Sequence, residues 1–212
     1  MESKKSISVQ VISDLMWPWC YIGKRNLEVA IESAREKYDV SVEWRPFFLR
    51  PSMPKEGVAK GPGRRVSPRL KAAGASVGID FTGNCDRYPN SLIAHCALDY
   101  ALELEKQGKA EAGTQHALQE KLFHGYFTAG LYPNIDNIVA MAENVGIDPS
   151  SMRRELEARE SSGRAVRVEK EAYQASRSGI SGVPYFIIND EPAFSGAQHP
   201  STIADAFEEF AN

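Results

Sequence analysis

The stretch that decides the fold is Asp14-Leu15-Met16-Trp17-Pro18-Trp19-Cys20-Tyr21-Ile22-Gly23-Lys24. It follows the β-branched, partly alternating residues 7–12, which predict a strand. From Pro18 to Ala34 apolar residues recur at helical spacing, and a proline suits the first turn of a helix because its missing N–H would have no partner there. Residues 40–45 alternate again and predict a second strand. The chain is therefore expected to open with a parallel strand–helix–strand unit.

The middle of the chain has a different pattern. Residues 46–68 are rich in proline and glycine, which predicts a loop. The residues beyond that loop are predicted to be all-α, with helices at about 91–107, 111–129, 135–145, 149–159 and 163–178.

The end of the chain returns to strands. Residues 184–188 predict a strand, 189–192 a turn, and 193–195 a short paired strand. A last helix is predicted from Ser201, with its apolar residues facing inward.

Composition excludes several classes of protein. The chain has 212 residues, a net charge of −3 and 42% hydrophobic residues, so it can build a core and carries no charge excess that favours nucleic acid or a membrane. No apolar run approaches the roughly 20 residues of a membrane span. The first residues do not form a signal-peptide core, and we expect a cytoplasmic protein.

The cysteines are Cys20, Cys85 and Cys96. Their odd number and wide spacing argue against a disulfide scaffold, and without a CxxC pair a structural zinc site is not expected. We therefore predict no metal site.

The proline- and glycine-rich loop and the residues after it are basic. Against a single Glu56 they carry Lys55, Lys60, Arg64, Arg65, Arg69 and Lys71. This charge fits either a lid that attracts an anionic ligand or an ordinary solvated connection, and the sequence leaves both open.

Two sequences point to chemistry at one corner of the predicted fold. Cys20 lies in the first turn of the helix, where free N–H groups and the helix dipole stabilise a thiolate. The segment Ser181-Gly182-Val183-Pro184 opens the third strand, where a proline is unusual unless its peptide bond is cis or it sits in a tight loop. We predict a cis bond before Pro184.

Several motifs carry a family resemblance and occur in order along nearly the whole chain. They are the corner sequence above with Arg25, Gly182-Val183-Pro184 with Phe186, Phe194-Ser195-Gly196-Ala197-Gln198, Tyr88-Pro89-Asn90-Ser91 with His95, and Phe123-His124-Gly125-Tyr126-Phe127. Together they resemble the DsbA-like thioredoxin-fold oxidoreductase family, and most closely its FrnE-type and 2-hydroxychromene-2-carboxylate-isomerase-like branch. The resemblance implies an α/β, thioredoxin-like fold with a large all-α insertion. The thioredoxin-like domain would comprise residues 1–52 and 180–212, and the helical insertion residues 53–179.

The chain departs from this family at the corner. The family has Cys-Pro-Trp-Cys there, whereas this chain has Trp17 at the first position and keeps only Cys20. Dithiol exchange needs an attacking thiolate and a resolving thiol, so exchange by the CxxC mechanism is not expected. Glutathione-dependent members carry a serine at the first position, and the indole of Trp17 cannot replace that hydroxyl.

The resemblance and the residues leave several roles open. Cys20 is either a catalytic thiol or an inert buried cysteine. Trp17 and Trp19, with Pro18 between them, either form the aromatic wall of a substrate pocket or serve packing alone, and Trp17 either lines or blocks the groove. In the family the backbone of Val183 beside Pro184 would pair with an extended substrate or with glutathione.

Two further residues are weaker candidates. Gln198 could contact a ligand carboxylate at the start of the last helix, although a helix cap is the simpler interpretation. His95 is more typical of a packed helix residue than of a catalytic base.

These candidates favour a DsbA-like family member with a degenerate site that binds no permanent cofactor. If it is an enzyme, it would use a thiol such as glutathione, with a small thiol or an extended peptide as its partner. The alternatives are a glutathione-dependent isomerase or transferase, a non-enzymatic protein that binds a ligand or peptide, and a catalytically silent homodimer.

Overall fold

A four-stranded sheet forms the centre of the computed structural model, which describes residues 3–63 and 65–211. Its strands, in spatial order, are β2 (Tyr38–Pro46), β1 (Lys5–Ser13), β5 (Tyr185–Ile188) and β6 (Glu191–Ser195). β1 and β2 are parallel, and the other neighbours are antiparallel. The predicted α/β class and the strand–helix–strand opening are confirmed.

Two helices complete the part of the fold built from the chain ends. α1 (Pro18–Ala34) connects β1 to β2, and α8 (Pro200–Phe210) follows β6 and packs against α1. The turn between β5 and β6 is made by Asn189 and Asp190, both with positive φ, which these residue types tolerate.

The middle of the chain is mainly helical and packs on the sheet. The five predicted helices are confirmed with ends that differ by a few residues, as α3 (Leu92–Lys106), α4 (Thr114–Phe127), α5 (Ile135–Glu143), α6 (Pro149–Glu157) and α7 (Arg164–Arg177). Helices α3, α4 and α7 contact β2. The side-chain amide of Gln115 bonds both the N–H and the carbonyl of Trp44, which satisfies backbone groups at this sheet edge.

Two features of the middle block were not predicted. A short helix, α2 (Pro68–Ala75), begins where the loop was expected to end, and the Ser67 hydroxyl caps it by accepting from the Leu70 N–H. The all-α prediction is wrong in one respect, because β3 (Val58–Ala59) pairs with β4 (Arg87–Tyr88). Strands of two residues are too short to show an alternating pattern. The division into two domains stays a prediction.

The carboxyl ends of β1 and β2 lie side by side, which positions the site. Ser13 pairs with Pro46, and the Phe47 N–H donates to the Ser13 carbonyl at 3.0 Å. The loops after both strands therefore emerge at one edge of the sheet, next to the start of α1. Within the described residues no helix has both the length and the apolar character needed to cross a membrane.

Candidate functional site

The turn before α1 is held by the buried carboxylate of Asp14. One oxygen accepts from the Met16 N–H at 3.2 Å and the other from the Leu49 N–H at 2.8 Å. Burial raises the pKa of this carboxyl, although these backbone donors and Ser91 act in the opposite direction. Asp14 thus fixes the loop after β2 against the turn that carries Trp17.

Trp17 occupies the cap position of α1. Its backbone is extended and its side chain makes no capping hydrogen bond. The side chain is 39% exposed and lines a cavity of about 430 Å³ at the amino end of the helix. Pro18 lines the same cavity. We call this space the Trp17 cavity.

The Trp17 cavity combines aromatic and cationic walls. Its aromatic side chains are Trp17, Phe81, Tyr88, Tyr126 and Phe127, and its cationic side chains are Arg50, Lys60 and Arg65. An anion in this space would meet three positive side chains and the positive end of the α1 dipole.

Aromatic rings hold two of these cations in place. The Lys60 ammonium lies 5.2 Å from the centre of the Tyr88 ring and 5.0 Å from that of Tyr126, and it donates to the Cys85 carbonyl at 2.8 Å. The Arg50 guanidinium lies 5.2 Å from the Tyr88 ring centre. Such cation–π contacts orient a charge without neutralising it.

The basic loop contributes to this cavity only in part. Lys60 and Arg65 line it, whereas Lys55 is exposed and pairs with Glu160. Arg69 and Lys71 are exposed and do not line it. Arg64 lies outside the described residues.

Cys20 does not have the environment of a working thiol. Its side chain is fully buried, and burial raises its pKa to about 12, with the neighbouring Ser13 hydroxyl and Asp14 backbone opposing the rise. The thiol is therefore neutral at physiological pH, which argues against the catalytic role predicted for Cys20. At this position burial thus raises the pKa of the thiol more than the helix dipole lowers it.

The other two cysteines offer no replacement. Cys85 and Cys96 are also buried and free, and burial raises the pKa of Cys96 to about 12. No pair of thiols is therefore available for exchange among the described residues.

Trp19 does not share a wall with Trp17. It lines a larger, open cleft of about 1120 Å³ between α1, α2 and the start of α8. Successive helix residues point about 100° apart, so two side chains separated by one position face different directions. Trp17 and Trp19 therefore line different spaces, and the structure gives no support to the alternative in which the two form one aromatic wall.

The proline loop contacts the second turn of α1. The Val183–Pro184 peptide bond is cis, and both residues are buried. A Cβ on Gly23 would lie 2.8 Å from Cγ of Pro184, so only glycine allows this contact. Neither Val183 nor Pro184 lines the Trp17 cavity.

Gln198 also lies away from the cavity. Its side chain donates to the Ser195 carbonyl at 2.8 Å, and its own carbonyl accepts from the Asn26 amide at 2.7 Å. The residue that caps α8 is His199, whose Nδ1 accepts from the Ser201 N–H. Gln198 is therefore held by hydrogen bonds in the loop before α8, and it does not line the Trp17 cavity.

His95 is part of the core. It packs edge-on against Phe48, and burial lowers its pKa to about 4 even though the Phe47 backbone favours the charged form. Its Nε2 has no hydrogen-bond partner among the described residues. A neutral, fully buried imidazole fits the packing role.

Sequence reasoning missed Arg50 and Met16 as cavity residues. Met16 lies three residues after the end of β1 at Ser13, and Arg50 lies four residues after the end of β2 at Pro46. The carboxyl ends of parallel strands meet at one edge of a sheet. The position of these two residues shortly after β1 and β2 was therefore the sequence signal that could have indicated them as cavity residues.

Comparisons with known proteins agree on the fold. The family model of the DsbA-like thioredoxin domain matches residues 8–208 of this chain. YwbO, an uncharacterized protein of Bacillus subtilis, is 30% identical over 193 residues, which cover 87% of this chain and 88% of YwbO.

Solved structures extend the agreement. The crystal structure of a probable DsbA oxidoreductase from Streptomyces coelicolor has a TM-score of 0.77 at 25% identity, covering 96% of this chain and 89% of that one. A 2-hydroxychromene-2-carboxylate isomerase has a TM-score of 0.66 at 18% identity, covering 95% of both chains, and shows the fold alone. This chain belongs to the DsbA-like thioredoxin-fold oxidoreductase family.

Proposed function

We propose that this protein binds a small anionic thiol, with glutathione as the candidate, in the Trp17 cavity. The observation that carries the proposal is the meeting of Arg50, Lys60 and Arg65 with an aromatic wall at the amino end of α1. Glutathione has a carboxylate at each end and is anionic at neutral pH, so it suits both the cations and the helix dipole. A glutathione-linked role also fits the cytoplasmic location that the sequence leads us to expect.

We further propose that the site is degenerate and does not exchange disulfides through an internal cysteine pair. Exchange requires an accessible thiolate beside a second thiol. The resemblance implies that Trp17 stands at the position of the family's attacking cysteine. The burial of Cys20 argues against the other candidate thiol. A bound thiol would therefore have to bring the reactive sulfur itself.

A second candidate is a binding protein without catalysis. The Trp17 cavity supports it because an indole supplies a stacking surface but no nucleophile or proton acceptor. A glutathione-dependent isomerase or transferase is the enzymatic alternative, and the similar fold of 2-hydroxychromene-2-carboxylate isomerase is its only support. The homodimer and the backbone pairing of Val183 stay predictions.

Calorimetric titration with glutathione tests the binding proposal. Arg65→Gln removes a cavity cation, whereas Arg69→Gln removes an exposed cation of the same segment that does not line the cavity. We expect Arg65→Gln to weaken binding by about threefold, the size typical of one solvent-accessible charge contact, and Arg69→Gln to leave it unchanged. No heat with the wild type, or equal effects of the two variants, would reject the Trp17 cavity as the glutathione site.

Trp17→Ala tests whether Trp17 lines or blocks the cavity. Because its side chain lies on the cavity wall with a partly exposed face, we expect the substitution to weaken glutathione binding several-fold, in line with about 1 kcal/mol for aromatic stacking. Tighter binding in the variant would mean that Trp17 plugs the space. Calorimetry is the suitable readout because the substitution removes one of the three tryptophans and would change the fluorescence without any ligand.

A further inference from the structure

One histidine of α4 is held between a hydrogen-bond donor on β2 and an acceptor on α1. This residue, His116, lies in the first turn of α4. The indole Nε1–H of Trp44 donates to Nδ1 of His116 at 3.1 Å, and Nε2 of His116 lies 3.1 Å from Oε1 of Glu28. None of these three side chains lines the Trp17 cavity, so the proposed function makes no use of them.

The two partners determine which ring nitrogen of His116 carries the proton. An indole N–H can only donate, so Nδ1 of His116 must accept and therefore carries no proton. The carboxylate of Glu28 accepts at Nε2, which places the single proton of the neutral ring there. Neutral His116 thus links Trp44 of β2 to Glu28 of α1.

Charged groups of α1 and α4 surround the ring of His116. The buried ammonium of Lys24 pairs with Glu28 and with Glu120 of α4. The guanidinium of Arg25 pairs with the same two carboxylates. Burial lowers the pKa of His116, with a contribution from the Lys24 ammonium, although the two carboxylates act in the opposite direction. The ring is therefore neutral at pH 7 and takes up a proton as the pH falls.

Protonation of His116 is incompatible with its contact to Trp44. A solvent proton can reach the ring, since 21% of the side chain is exposed, and it must bind Nδ1 because Nε2 already carries a proton. The Nδ1–H and the indole Nε1–H then face each other as two donors. Trp44 is buried, and a buried donor without an acceptor is unfavourable, so the two rings have to separate.

The same helix carries part of the wall of the Trp17 cavity. Tyr126 and Phe127 in the last turn of α4 line that cavity. Phe123, one turn earlier, packs edge-on against the Trp44 ring. A change in how the start of α4 is held against β2 is therefore transmitted along the helix to these aromatic side chains.

We propose that His116 is an acid-sensitive latch that ties α4 to β2 and α1. While it is neutral, it accepts from Trp44 and donates to Glu28, which holds the start of α4 in place. When Nδ1 takes up a proton, the latch releases Trp44 but keeps its contact with Glu28 as an ion pair. Helix α4, and with it the Tyr126 and Phe127 wall of the Trp17 cavity, is then held less firmly.

Proton NMR of the indole N–H groups between pH 7.5 and pH 4.5 tests the latch in the intact protein. Trp17→Phe and Trp19→Phe identify two of the three indole signals, which leaves that of Trp44. We expect the Trp44 signal to move upfield as its hydrogen bond is lost, with the same midpoint as the ring signals of His116. A His116 titration that leaves the Trp44 signal in place would overturn the proposal.

Two variants separate the latch from other effects of acid. His116→Asn keeps a side-chain acceptor but cannot take up a proton, so the pH-dependent shift of the Trp44 signal should vanish. His124→Asn, which removes an exposed histidine of the same helix, is the matched control and should leave the shift as it is. Persistence of the shift in His116→Asn would refute the assignment to His116.

Trp44→Phe tests the tautomer argument through the titration midpoint of His116. Without the indole donor, Nδ1 is free to bind a proton, so the midpoint should rise by about 0.5 pH unit or more. An unchanged or lower midpoint would contradict the proposal.

Hydrogen exchange followed by mass spectrometry measures the effect on α4. At pH 4.5 the amides of α4 in the wild type should exchange faster than at pH 7.5, by about threefold or more once the intrinsic pH dependence of exchange is removed. His116→Asn should show a smaller difference, and an equal difference in both proteins would count against the latch. None of these readouts uses glutathione, so their result is independent of the proposed function.

Discussion

At the scale of single residues, burial decides the chemistry of the corner. Cys20 occupies a helix position that can activate a thiol, yet its fully buried side chain has a pKa of about 12. The thiol is then neutral at pH 7, and none of its surface is exposed to a reagent. We expect Cys20 to resist iodoacetamide in the native protein and to react after unfolding in urea, as measured by peptide mass spectrometry. Rapid native alkylation of Cys20 would contradict this account.

His95 makes stability depend on pH at the same scale. Burial lowers its pKa to about 4, whereas the unfolded chain takes up the proton near pH 6.5. Stability is therefore lost as pH falls from about 6.5 towards 4, by up to about 3 kcal/mol. His95→Asn should show a smaller loss in urea unfolding at pH 7 and pH 4.5. Asp14, whose raised pKa acts in the opposite direction, is common to both proteins and cancels in the comparison. If the wild type and His95→Asn lost the same stability between pH 7 and pH 4.5, the assignment of this pH dependence to His95 would be refuted.

At the scale of elements, the close approach of α1 to the proline loop depends on one glycine. A Cβ on Gly23 would overlap Pro184, and overpacking of this kind costs about 1–3 kcal/mol, more than the roughly 1 kcal/mol that alanine gains in a helix. Gly23→Ala should therefore lower the free energy of unfolding. Val29→Ala, an exposed change on the same helix, should alter it by less than about 0.5 kcal/mol. A more stable Gly23→Ala protein would show that the contact is not tight.

At the scale of the whole molecule, the fold was more predictable than the site. The β1–α1–β2 opening and the five predicted helices of the middle block have periodic patterns that a single sequence displays. The two-residue strands β3 and β4 are too short to alternate. The segment Pro68–Ala75, which forms α2, contains a glycine and directly follows the proline- and glycine-rich loop, so its sequence did not stand out as a helix. The site residues come from separate segments of the chain. Trp17 and Trp19 are close in sequence, but their side chains point in different directions and line different cavities. Only tertiary packing brings Arg50 beside Tyr88, so spacing along the chain could not reveal their contact.

The most direct test of the central claim compares disulfide exchange by the wild type and by Trp17→Cys. The claim is that the α1 corner keeps the family's architecture but lacks the thiol chemistry. We predict no measurable insulin reduction or dithiol oxidation by the wild type, and measurable exchange by Trp17→Cys, whose new thiol would lie at a partly exposed helix start three residues from Cys20. Exchange by the wild type at the rate of an enzyme with an intact cysteine pair would contradict the account.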